Sequence, residues 1–337
     1  MTLRMAMMRT TFPLALAVAL AAQPQAPAEE SRWYRGNTHA HTVHSDGDSS
    51  PDVVARWYKE HGYQFVVLTD HDQVTPVDGL NALFAAPEKF LVLAGEEVTG
   101  RFQGLPVHLN GIAMKEAVKP QPGTSVADAL RRNAAAIRAA GGTPQINHPN
   151  FGWALNAEAM IAAADAKLFE LHNGHPLVNN RGGGGSPSTE ELWDAVLSSG
   201  RVLYGVASDD AHHFRGEPSA TQVNPGRGWI FVRARKLSAE AIAAALDAGD
   251  FYASTGIQLK SYEAGARGIR IELPENSSST APRYRTYFIG KGGAVLKQDD
   301  SLRPAYEFRG DELYVRARIE SSNGTMAWTQ PVFPGRE

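Results

Sequence analysis

Between residues 33 and 213 the sequence repeats one arrangement: a short apolar run ending in His, Asp or Glu, followed by a helical stretch. Phe65-Val66-Val67-Leu68 runs into Thr69-Asp70-His71-Asp72, and residues 90–94 run into Gly95-Glu96-Glu97. Pro144-Gln145-Ile146 runs into Asn147-His148-Pro149, and residues 202–207 run into Ser208-Asp209-Asp210-Ala211-His212-His213. Residues 106–111 place His108 within an extended segment, and residues 168–173 interleave Glu170, His172 and Asn173 with apolar side chains. Strand runs alternating with helices imply a largely parallel sheet. In a barrel of parallel strands the C-terminal strand ends converge on one face, where active sites lie. Titratable residues kept at one end of the strands therefore point to an enzyme.

The first unit is the most sharply defined. His39 and His41 lie one residue apart at the end of a strand-like run, so both imidazoles face the same side. Ser50 as N-cap, Pro51 at the first helical position and Gly62 at the end bracket an amphipathic helix. A second helix starts at Ser125 and ends at Gly141-Gly142, and a third spans about residues 189–199.

The segment from His39 to Asp72, together with GNTHAHTVHSDGDSSP and WYKEHGYQFVVLTDHD, resembles the PHP (polymerase and histidinol phosphatase) superfamily, in its carbaryl-hydrolase-like branch. The runs at 250–256 and 326–331 resemble that branch too. The resemblance implies a distorted (β/α)7 PHP-type barrel over residues 33–250 and a metal centre at its rim. Matched motif by motif, the implied ligands are His39, His41, Asp46, His71, Glu97, His108, His148, Asp210 and His212. Glu96 competes with Glu97, because a one-residue shift exchanges the inward side chain, and Asp209 competes with Asp210. Imidazole and carboxylate donors suit two or three divalent ions of zinc, manganese or iron. Such ions lower the pKa of a bound water towards ~7, giving a metal-bound hydroxide nucleophile without Ser or Cys. His148 and His212 are candidate proton donors to the leaving group.

Other residues keep two readings. Asp70 and Asp72 either orient a ligand imidazole or cap a helix. Glu170, His172 and Asn173 either touch substrate or form a solvated rim. Arg181, beside the run Gly182–Gly185, either meets an anionic substrate or is an ordinary surface arginine. The glycine run lacks the strand, helix and lysine of a phosphate loop, which leaves a flexible loop at the barrel mouth. His44, His61, His172, His175 and His213 read by default as hydrogen-bonded structural residues.

The chain has 337 residues, 43% of them hydrophobic, enough for one large core and a small appendage. A net charge of -3 with interspersed signs gives no case for nucleic acid or an anionic membrane. With no cysteine, disulfides, thiolate ligands and a cysteine nucleophile are excluded. Residues 1–22 have the layout of a secretory signal peptide, and 23–32 read as a flexible lead-in. The mature protein is then expected to be periplasmic or secreted, with no stable membrane span. From residue 251 to 337, short runs of period-two alternation between turn residues predict a small, mostly β C-terminal domain packed on the barrel. The sequence supports a metal-dependent hydrolase acting on a small-molecule ester, either a phosphoester or a carbamate or carboxylic ester. The alternative is a non-catalytic periplasmic metal- or ligand-binding module.

Overall fold

The computed structural model describes residues 1–2, 30–275, 278 and 282–336. The signal-peptide reading and most of the lead-in lie outside the described residues. Residues Ser31–Glu337 form a compact unit. Its elements begin with β1 (Arg32–Asn37), α1 (Pro51–Glu60), β2 (Phe65–Leu68), α2 (Asp78–Phe84), β3 (Leu91–Phe102) and β4 (Leu105–Ile112). They continue with α3 (Val126–Ala139), β5 (Thr143–Ile146), α4 (Ala157–Ala162), β6 (Leu168–Asn173), α5 (Thr189–Ser198) and β7 (Tyr204–Ser208). Next come β8 (Trp229–Ala234), α6 (Ala239–Ala248), β9 (Phe251–Ser254), β10 (Ser261–Gly265), β11 (Gly268–Glu272) and β12 (Tyr284–Gly290). The last are β13 (Ala294–Asp299), β14 (Ala305–Glu307), β15 (Arg316–Ser321) and β16 (Met326–Thr329).

The helices start and stop where local chemistry directs. Pro51 opens α1, and Gly62, at φ 75°, ends it in a left-handed turn. Ser125 Oγ accepts from Asp128 N at the start of α3, and Ser188 with Glu191 forms a reciprocal capping box on α5.

Thirteen strands form one mixed sheet in the order β13-β12-β15-β16-β9-β8-β1-β2-β3-β4-β5-β6-β7. The β1–β2, β2–β3, β5–β6 and β6–β7 pairs are parallel. All of β2 is buried, as a continuous apolar run requires. Beyond β7 the chain returns to the first strand: Ala40 and Ala211 form a parallel bridge, and His41 N donates to Ala211 O at 2.9 Å.

Two expectations need correction. The strands are not uniformly parallel and helix-linked: β3 and β4 form an antiparallel hairpin, and β4 also runs antiparallel to β5. The cause is local, since Gln103 and Gly104 both adopt positive φ (49° and 85°), the geometry of a two-residue hairpin turn. In addition, the expected boundary at residues 250 and 251 falls inside one sheet, because β9 pairs with β8 and β16 pairs with β9. Among the described residues, only β10, β11 and β14 form a separate sheet. An apolar cluster that includes Phe231, Tyr252, Ile269, Phe288 and Ile319 joins this three-stranded sheet to the large one. Among the described residues, no helix is long and apolar enough to cross a membrane.

Candidate metal centre

Each donor reaches the centre from a strand or the segment just after it. His39 and His41 follow β1, fully buried, with their Nε2 atoms 3.1 Å apart. His71 follows β2, whose course continues in a bridge to Glu97 on β3. Because β4 is the return strand of a hairpin, His108 arrives from its interior, opposite Thr99. His148 follows β5, and Asp210 and His212 follow β7.

Glu97 is the hub. Its Oε2 lies 3.3, 3.4 and 3.1 Å from imidazole nitrogens of His39, His41 and His71, and its Oε1 lies 3.2 Å from both His108 Nδ1 and His148 Nε2. Asp210 Oδ1 approaches His39 Nε2 and His41 Nε2 at 3.2 and 3.3 Å. Asp46, on the loop after β1, faces His212 Nε2 at 3.2 Å and His71 Nε2 at 3.5 Å. That loop folds tightly against His41: a Cβ on Gly47 would lie 2.8 Å from the His41 carbonyl, so only glycine fits there. The nine expected residues thus meet in three adjoining groups: His41, Asp46, His71 and His212; His39, His41 and Asp210; Glu97, His108 and His148.

Side-chain direction separates the residues of the two open choices. Glu96 turns to the opposite face of β3, where its Oε2 accepts from Val118 N at 2.7 Å. Asp209 turns away from the imidazoles and accepts from Tyr58 Oη, Arg227 N and Gly228 N at 2.9, 2.6 and 2.9 Å.

The carboxylates favour positive charge on the imidazoles beside them. Burial alone lowers an imidazole pKa, yet Asp210 and Glu97 outweigh it and raise His41 to about 9. His39 is raised well above its ordinary value against the same penalty, by Asp210, Glu170 and Glu97. Burial disfavours the charged form of Glu97, but His39 and the other imidazoles hold it well below the usual carboxylate range. Two imidazole Nε2 atoms facing each other across 3.1 Å, with carboxylate oxygens beside them, need protons or metal ions between them. All nine donors are nitrogen or oxygen, so the residues fit divalent ions of the zinc, manganese and iron type.

A surrounding set of side chains fixes the donors. Thr42 N and Oγ1, Ser45 Oγ and Thr75 Oγ1 all donate to Asp70, which pins the loop carrying Asp46. Asp72 accepts from Thr99 N at 2.8 Å, and Thr99 Oγ1 lies 2.7 Å from His71 Nδ1. Asp70 is bonded to the hydroxyls of Thr42, Ser45 and Thr75 and Asp72 to the backbone N–H of Thr99, and neither caps a helix. Three backbone positions at the site, Asp72, His148 and Asp210, hold positive φ (53°, 24° and 53°), a strained geometry typical of functional sites.

Glu170 is the residue that sequence reasoning undervalued. It is fully buried, with Oε1 2.7 Å from His39 Nδ1 and Oε2 accepting from His148 N at 2.7 Å. Ser208 Oγ and Asn173 Nδ2 also donate to it, at 2.5 and 2.7 Å. Such a carboxylate fixes the ring orientation of a ligand histidine. Its signal was present, as a single carboxylate in the apolar run Leu168-Phe169-Glu170-Leu171. Asn147, which donates to Glu97 Oε1 at 2.9 Å, was missed without comparable warning.

The three substrate-contact candidates do not stay together. Asn173 is buried and bonded to Glu170 and Asp210, so it braces the centre. A bulge between Glu170 and His172 in the β6–β7 pairing shifts the alternation and turns His172 outward. His172 and Arg181 instead line a separate cavity of about 1210 Å³ with Trp328, Glu190 and Arg316. His212 keeps Nδ1 2.7 Å from the Asp210 carbonyl and Nε2 3.2 Å from Asp46 Oδ1. His44, His61 and His213 hydrogen-bond to Thr75, Trp57 and Val223 as structural residues do.

No protein-family profile and no curated protein sequence matches the chain. Among solved structures, a two-domain protein from Bacteroides vulgatus containing a predicted PHP-like metal-dependent phosphoesterase is 16% identical. The similarity covers 94% of this chain and 100% of that one, with a TM-score of 0.50. A putative metal-dependent phosphoesterase from Bifidobacterium adolescentis matches 55% of this chain and 89% of its own length, at 16% identity and a TM-score of 0.41. An amidohydrolase from Chromobacterium violaceum matches 56% of this chain and 93% of its own, at 17% identity and a TM-score of 0.36. The chain therefore has the fold of a PHP-like protein, with a His, Asp and Glu cluster at the place where the resemblance to the PHP superfamily puts a metal centre.

Proposed function

We propose that the chain is a metal-dependent hydrolase of ester-type bonds, of the carbaryl-hydrolase-like branch, with β1 to β7 forming a distorted (β/α)7 barrel. The observation that carries this reading is the convergence of nine nitrogen and oxygen donor residues, the buried carboxylate of Glu97 among them, in three adjoining groups. Two or three zinc, manganese or iron ions held by these residues would supply Lewis acidity, lowering the pKa of water and polarising the ester oxygen.

The chain's own residues do the positioning. Glu97 and Asp210 gather the imidazoles; Glu170 and Thr99 fix the rings of His39 and His71. His148 keeps its backbone in place through its N–H to Glu170. On the segment after His148, Phe151 packs edge-on against the His148 ring at 5.2 Å, and Trp153 is 42% exposed. Apolar surface here, with Arg181 facing the separate cavity, favours a carbamate or carboxylic ester over a phosphate monoester. The proposed setting is the periplasm or the exterior, from the layout of residues 1–22.

The test is turnover by the metal-loaded protein of p-nitrophenyl phosphate, bis-p-nitrophenyl phosphate and 1-naphthyl N-methylcarbamate. Turnover of one class identifies the bond. Full metal loading with no hydrolysis of any ester refutes the hydrolase reading in favour of a binding module.

A further inference from the structure

His175 stands outside the nine donors but beside them. Its ring is 6.1 Å from that of His212 and 5.7 Å from Phe151, which itself packs against His148. The turn that carries it is tied down at both ends. His175 N donates to Asn173 Oδ1 at 2.8 Å, and Val178 N donates to His175 O at 3.0 Å. Asn173 in turn donates to Glu170 and Asp210, so the residues that brace the centre also place this imidazole.

The ring's hydrogen-bonding state follows from its neighbours. Leu177 N donates to His175 Nδ1 at 3.1 Å, which occupies the Nδ1 lone pair and puts the ring proton on Nε2. Among the described residues that Nε2 has no hydrogen-bond partner, and the side chain is only half-buried. An oriented N–H donor, next to the imidazoles and free of any protein acceptor, is suited to a ligand oxygen.

We infer that His175 Nε2–H donates a hydrogen bond to an acyl or phosphoryl oxygen of the substrate held at the centre. The inference rests on the hydrolase reading above. His175 acts as a neutral donor: no bond to hydrogen breaks, and the interaction strengthens as negative charge grows on that oxygen. Sequence alone gave it a structural role because its position in a turn, outside any motif, carries no sign of what lies across the fold.

Two substitutions in the metal-loaded full chain separate the donor from the turn. His175→Asn keeps an acceptor near Nδ1 for Leu177 N but has nothing at the Nε2 position, whereas His175→Gln puts an amide N–H there. Metal content, melting temperature, kcat and KM for the best ester, and the Kd for inorganic phosphate by calorimetry are compared. His175→Asn is expected to lower kcat and weaken phosphate binding about tenfold or more, with metal content and melting unchanged. His175→Gln is expected to recover most of both losses. The inference is overturned if His175→Asn matches the wild type, or if His175→Gln falls as far as His175→Asn. A loaded wild type that binds phosphate but cleaves no ester refutes the hydrolase reading alone, and phosphate binding by the variants still decides the role of His175. A wild type that neither binds phosphate nor cleaves an ester overturns both.

Discussion

Replacing Glu170 with glutamine changes one oxygen to an amide group in the most tightly bonded carboxylate behind the metal centre. Its two oxygens serve His39 Nδ1, His148 N, Ser208 Oγ and Asn173 Nδ2, all within 2.7 Å. Whichever way the amide is turned, its NH2 faces a donor. Turned one way it meets the His148 N–H, and turned the other it meets His39 Nδ1–H. Hydrogen bonds to a charged group contribute about 1.5–3 kcal/mol each, so losing one and opposing another costs the apoprotein about 2–4 kcal/mol. At the centre, loss of a partner that orients a ligand histidine lowers metal affinity by about 10–100-fold, or about 1.4–2.7 kcal/mol. Competition against a chromophoric chelator measures the affinity, and thermal unfolding of the metal-free protein measures the stability. A Glu170→Gln variant that binds metal as tightly as the wild type would refute the role given to Glu170.

Further predictions follow from the same geometry. Arg316, 1% exposed, is held by Asp194 through Nε and Nη2 at 2.9 and 2.7 Å. Asp194→Ala leaves that guanidinium buried with Glu190 as its remaining carboxylate, and should cost about 3–5 kcal/mol in chemical denaturation while metal content persists. Because His41 is raised to about 9, protons compete with metal up to that pH. Affinity should therefore climb between pH 6.5 and 9 with proton release in calorimetry, and a pH-independent affinity would contradict the arrangement. Burial raises Glu96 from 4.5 to about 7, so the folded protein holds a proton that the unfolded chain releases. Its stabilising contribution is complete below pH 4.5 and fades as pH rises through 7, and Glu96→Gln should flatten that part of the stability profile.

Most of the donors were legible because they sit at a strand end or inside a strand, where convergence is expected, and the resemblance to the PHP superfamily supplied the full set, including Asp46 on its loop. The choice of Glu97 over Glu96 was not legible: both lie on one strand, and only the β3–β4 register shows which faces inward. The antiparallel return of β4 was hidden in two turn residues, Gln103 and Gly104, whose positive φ values determine the hairpin. Glu170 looked like a rim residue because a carboxylate in a strand is usually solvated, and its buried partners come from distant segments. The bulge that sends Glu170 and His172 to different sides, and brings Asn173 to the side of Glu170, has no sequence signature. The C-terminal strands read as a separate domain because local alternation does not reveal which sheet a strand joins, and β9 joined β8.

The central claim is that residues around Glu97 hold divalent metal ions, and elemental analysis of the purified protein beside its Glu97→Ala variant tests it most directly. The account predicts on the order of two to three equivalents of zinc, manganese or iron in the wild type, with most of it lost from the variant. A wild type that holds no metal after reconstitution, or a variant that keeps its full complement, would contradict it.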